Sequence, residues 1–252
     1  MFTKLKPGFI RQSILKIIIL LSSVTLINGG NLMANEGQSP YLSNQETVEK
    51  IYGYLQSGQI DSSKAYLIGL GDDKVVIQTW MNVQCDINNV KKDPKASAEI
   101  GQVGVDYSLE KGFKLPAAMM LHNISAFFMP DFDEGVDPEN LPLIISAATQ
   151  QLTLRREIPQ PGPLMWSLWD LGIAELAAGN ASDAIKTLEE GIKVADEQDD
   201  KDGAAWCRIF IGKAKVKYLP ELIDEGKNDM QEAAKSFRKL VRIGKRKNLL
   251  RY

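Results

Sequence analysis

Apolar residues recur along the chain at steps of three and four, the spacing of one face of an α-helix. The pattern is sharpest between Leu164 and Gln198. There Leu168, Leu171, Ala174 and Ala178 mark one helix, and Ala184, Leu188 and Gly191 mark a second. A short polar turn, Gly179-Asn180, lies between them, and Asn180 and Ser182 offer side-chain oxygens to the free backbone N–H groups of the new helix. Small residues, Gly172 and Ala184, fall where the two helices would touch, so that ridges of one enter grooves of the other. A lone helix pair cannot bury both its faces and needs neighbours of its own kind, which is the logic of a solenoid.

The rest of the chain carries the same period. Ser43 and Glu46 form a capping box that opens a helix with Val48, Ile51, Tyr54 and Leu55, ended by Gly58. A second helix starts at Ser63–Leu67. After Gly69 and Gly71 a longer one holds Val75, Val76, Trp80, Val83, Cys85 and Ile87 and ends near Asn89. Asp93-Pro94 opens a weaker helix over 95–112, because Gly101 and Gly104 each cost about 1 kcal/mol in a helix interior. Ala117–Phe128 is dense in Met, Leu and Phe and reads as buried, and Leu143–Leu154 is helical again. Pro159, Pro161 and Pro163 make a stiff extended connector. Beyond it a helix over Ala204–Tyr218 is joined by the irregular insertion Pro220–Asp229 to a last helix with Ala233, Phe237 and Leu240. The prediction is an all-α chain of about ten helices in five antiparallel pairs.

Leu171-Gly172, Gly179, Ala184, Leu188 and Gly191 fall at the spacing of the tetratricopeptide repeat, which this stretch resembles, with Leu168 where that family usually has Trp. Glu175 stands where Tyr is common and Gly191 where Ala is common, and the closing Pro near residue 196 is missing. Ile211-Gly212 matches Leu171-Gly172, so residues 204–243 read as a degenerate second copy, and Tyr54, Gly58, Ser63, Leu67 and Leu70 keep the spacing loosely. The resemblance implies a right-handed, TPR-like solenoid. Degenerate helical repeats would occupy residues 43–158, and TPR-like repeats with a basic C-terminal helix residues 159–252.

Charge and composition add a compartment. Lys4, Lys6, Arg11 and Lys16 precede an apolar run from Ile17 to Ile27, and Leu32-Met33-Ala34 resembles a cleavage site, so residues 1–34 read as a secretory signal peptide and 35–42 as a disordered lead. The alternative is an uncleaved N-terminal anchor. Cleavage would lower the net charge from −2 to −6, which argues against a generic nucleic-acid binder. The last 18 residues, from Lys235, carry eight basic groups and no acid. That tail is either a surface that touches anionic membrane weakly or the polar cap that repeat arrays need. Cys85 and Cys207 lie 122 residues apart on different predicted repeats, and two buried, inert thiols are the expectation there.

Chemistry-bearing motifs are few. Asp131, Asp133 and Asp137 alternate like calcium ligands, but Val136 and Pro142 stand where the calcium loop needs Gly and Glu, so Pro130–Pro142 reads as a solvated loop. His122, the single histidine, cannot make a usual zinc site and reads as a satisfied core residue. No metal ligand set, cofactor motif or catalytic constellation emerges, so the expectation is no enzyme and no cofactor. What stands out is an apolar stripe. Trp166, Trp169 and Ile173 lie at i, i+3 and i+7, and Trp206 and Ile209 occupy the matching positions of the next unit. The resemblance implies that these positions face a concave groove where a protein or peptide docks, and Trp brings large contact area with few rotatable bonds. The competing expectation is that helices from 43–157 cover the stripe.

The resulting expectation is an exported, non-catalytic scaffold or adaptor, periplasmic or secreted, that holds a protein or peptide and no nucleic acid. The alternatives are a membrane-associated structural protein held by its N-terminus and basic tail, and a carboxylate-based hydrolase on a helical scaffold.

Overall fold

The computed structural model describes residues 45–159 and 162–249, with side chains in those ranges except at 162–163 and 239–249. The predicted signal segment, the lead to residue 42, the Ser43 side of the capping box, Pro161 and most of the basic tail's side chains lie outside what it describes.

Ten α-helices appear among the described residues, and no strand does. They are α1 Gln45–Gln56, α2 Ile60–Ile68, α3 Asp73–Asp86, α4 Pro94–Glu110 and α5 Lys114–Phe127. The second half holds α6 Leu141–Arg156, α7 Gly162–Ala177, α8 Ala181–Glu197, α9 Lys201–Tyr218 and α10 Ile223–Leu249. Each helix packs on the one before and the one after, and the odd-numbered helices also touch each other in series, α1 on α3 through to α7 on α9. The odd helices therefore form an inner layer, with the even helices outside. None of the described helices is long and apolar enough to cross a membrane.

The predicted periodicity is the one that is buried. Val48, Ile51 and Leu55 face inward from α1, and Ala184, Leu188, Gly191 and Ala195 from α8. Each fully buried Leu or Ile contributes about 1.5–3 kcal/mol. The glycines read as weak points of α4 are where it is most tightly packed. A Cβ on Gly104 would lie 2.6 Å from Met120 Sδ and 2.9 Å from Trp80 Cδ1, so the missing side chains let three helices approach. The same holds at Gly172, whose added Cβ would sit 2.5 Å from Leu188 Cγ, and at Gly212, whose would sit 2.6 Å from the Gly226 carbonyl oxygen. Backbone thus meets backbone between α9 and α10.

Helix starts differ in part from expectation. Asp72 caps α3 by accepting from the backbone N–H of Lys74 and Val75, both at 3.0 Å, and Asp93 caps α4 ahead of Pro94. Asn180 makes no side-chain cap on α8; the turn is closed instead by Gly179 at φ +80°, a conformation glycine adopts without strain. Between α6 and α7 the extended connector is shorter than predicted: α7 already begins at Gly162, with Pro163 in its first turn, where a missing N–H costs nothing. The insertion over Pro220–Asp229 is likewise mostly helix, a single 3-10 turn at Pro220–Leu222 running into α10.

Candidate functional site

The inner helices α7 and α9 bring the predicted stripe together. Trp166 and Trp169 stack edge-to-face with ring centroids 5.7 Å apart. Trp169 then meets Trp206 at 6.0 Å and Phe210 at 5.7 Å, and Trp206 meets Phe237 of α10 at 5.3 Å. Such edge-to-face pairs add about 0.5–1.5 kcal/mol each to the burial of the rings. The five predicted residues divide by exposure. Trp166, Trp169 and Ile209 are half-buried, whereas Ile173 and Trp206 are 1% and 7% exposed and belong to the core. The partly open members of the stripe are thus Trp166, Trp169 and Ile209. The indole N–H of Trp169 is buried with no acceptor from the chain.

The segment between α5 and α6, itself within residues 43–157, covers part of the stripe. The loop read as solvated is exposed over most of its length but turns inward at Phe132 and Asp133. Phe132, held at φ +63°, places its ring 5.7 Å from Trp169, 6.1 Å from Trp206 and 5.5 Å from Phe210. A left-handed backbone at an aromatic residue costs free energy and persists only where the surroundings over-determine it. Asp133 follows it into the interior, with 1% of its side chain exposed, and accepts a hydrogen bond from Lys213 Nζ of α9. Lys213 also meets Glu134 at 3.3 Å and stands 5.0 Å from the Phe210 ring centroid. A buried carboxylate of this kind is tolerable only when a cation answers it. Beside the pair a shallow cleft of about 340 Å³ is lined by Asp133, Glu134, Lys213, Val216, Lys217 and Met230. Asp137 does neither job; it caps the 3-10 turn Pro138–Asn140 by accepting from Glu139 N–H.

His122 is also placed otherwise than expected. It is no core residue, since 42% of its side chain is exposed on α5, yet its Nδ1 lies 2.6 Å from Oδ2 of Asp170 on α7. The Asp170 charge raises the proton affinity of the ring, with desolvation and Arg155 of α6 working against it. Arg155 is 7% exposed, and its Nε and Nη1 are buried without acceptors from the chain. Neither Phe132 nor Asp170 stands out in the sequence. Both act on residues far along the chain, and local spacing carries no signal of that. Cys85 and Cys207 are free thiols, pushed up to about 11 and about 12 by burial, so little reactive thiolate forms near neutral pH. Glu175, which replaces the family's usual Tyr, is half-buried against α8, and burial raises its pKa.

No protein-family model matches the sequence, and no curated protein does. Solved structures do match the fold. One crystal structure of a kinesin light chain candidate from Podosopora anserina, a single-substitution form with nearly identical TPR-like repeats, superposes with a TM-score of 0.56 at 10% identity, over 82% of this chain and all of that one. A second crystal structure of that protein gives 0.49 at 11% identity, over 84% of this chain and 99% of the other. The ten helices among the described residues, packed neighbour to neighbour, agree with the first of these: the chain has the all-α, TPR-like helical-repeat fold.

Proposed function

We propose that the protein is an exported, non-catalytic scaffold or adaptor that holds a protein or peptide in the inner groove near Trp166 and Trp206. Helical-repeat arrays generally work by presenting an extended surface to another protein. What supports the reading is that the aromatic stripe already packs against a segment of the chain's own loop. Phe132-Asp133 meets it with an aromatic ring among indoles and a carboxylate on Lys213. A surface that takes up one turn of the chain this way has the chemistry to take up another segment, and the unmatched indole N–H of Trp169 offers a carbonyl a further bond. An incoming partner competes with the resident loop, so affinity is reduced by the fraction of time the loop is home. The N-terminal charge and apolar pattern supports export, and the repeat fold supports a binding role.

The test is affinity capture from the native envelope with the full chain. Phe132→Ala should raise capture, and Trp166→Ala, at a half-exposed position, should lower it, both with unchanged helical circular dichroism. Equal capture by the parent and both variants would exclude the groove.

A further inference from the structure

We propose that His122 and Asp170 form a proton-operated clasp between the third and fourth helix pairs, closed while His122 carries its second proton and loosened when that proton leaves. The two residues are 48 apart in sequence and sit on α5 and α7, adjacent helices of the inner layer. Their contact at 2.6 Å joins a carboxylate 3% exposed to a ring 42% exposed. The buried partner feels charge strongly in a poorly polarisable interior, while the open ring edge lets the proton come and go.

Three charged groups from three helices meet at this joint: His122 of α5, Arg155 of α6 and Asp170 of α7. The remaining neighbours of α5, helices α3 and α4, bring no charged group among the described residues to bear on the ring. The bond from Gln151 Nε2 to Ser167 Oγ at 3.0 Å crosses the same α6–α7 boundary but is neutral and does not titrate. With His122 protonated, Asp170 pairs with it directly and also feels the more distant charge of Arg155. With it neutral, the Nδ1–H bond can persist but the charge attraction is gone, and Arg155 remains the carboxylate's single cationic neighbour.

The sign follows from the direction of the shift. A histidine that holds its proton more tightly when folded contributes stability that is fully present below its unfolded pKa and is lost as pH rises through the folded one. Raising the pH from acid to mildly alkaline therefore weakens the joint. Trp169, next to Asp170, lies in the aromatic groove, and the Phe132 loop leaves from the end of α5, so both sides of the groove are attached to the clasp. The clasp rests on the fold and stands whether or not a peptide occupies the groove.

The chain has one histidine, so its ring titration is unambiguous. In the full chain labelled with 15N-histidine, NMR should give a midpoint above the ordinary 6.5, with the proton lost from Nε2 and kept on Nδ1. Urea unfolding followed by tryptophan fluorescence should give a midpoint that falls between about pH 6 and about pH 9 in the parent chain and stays level in His122→Gln. The two thiols titrate far higher and stay silent in that window. Asp170→Asn should bring the ring midpoint down to the ordinary value or below. A parent ring titrating at or below 6.5, or a His122→Gln chain that keeps the parent's loss with pH, overturns the clasp.

Discussion

The joint between α3 and α4 and the joint between α9 and α10 do the same job with different materials. At α9–α10, Gly212 and Gly226 remove the side chains altogether, and the two backbones meet. At α3–α4 a large residue stands upright: Trp80 is fully buried and donates its indole N–H to the Ile100 carbonyl at 2.8 Å, while Ser97 donates to the Gln84 carbonyl at 2.8 Å. Gln84 in turn reaches α5 by donating to the Met120 carbonyl at 3.1 Å. The α3–α4 joint thus adds buried polar anchors to the room left by Gly101 and Gly104, whereas at α9–α10 the closest approach is backbone on backbone. The lesson is that a repeat fold constrains how far apart helices lie more tightly than it constrains which residues set that distance.

The comparison can be broken first at its largest element. Trp80→Ala should cost about 3–5 kcal/mol in urea unfolding, since it empties a core position and removes the indole's bond to the Ile100 carbonyl. Gly212→Val should cost about 3 kcal/mol, the upper end for overpacking, because the obstructing atom is backbone and cannot swing away. A tolerated valine there would show that the second half does not depend on close approach. Lys213→Met tests the loop and should cost about 1–2 kcal/mol, since Asp133 can escape an unpaired burial by leaving for water. The departure should appear as a red shift of tryptophan emission and as new proteolysis over residues 130–137. Smallest of all, Arg156→Ala, which removes an exposed pair with Glu190 at 2.8 Å, should change stability by about 0.5 kcal/mol or less.

Legibility follows the range of the interaction. Helix periods and pairing can be read because an amphipathic face depends on residues three and four apart, and the predicted helices stand, most with shifted ends. Propensity misjudges Gly101 and Gly104 because it sees only the helix they interrupt, whereas their use is to admit Gln84, Trp80 and Met120 from other helices. Matching positions between repeats finds the aromatic stripe, but Ile173 and Trp206 within it are interior. The loop over Pro130–Pro142 looks like a surface element because acidic residues usually are. Nothing local shows that Asp133 has a lysine waiting 80 positions later.

That lysine has a consequence for how the molecule can vary. In a stack where each unit meets its neighbours, pairs can ordinarily be duplicated or dropped without disturbing the remainder. Here the reach from Asp133 to Lys213 spans one whole intervening pair, α7 with α8. An extra pair inserted at that point could satisfy every neighbouring surface and still carry the lysine out of range, so one side chain's length fixes the tally of repeats in this part of the array.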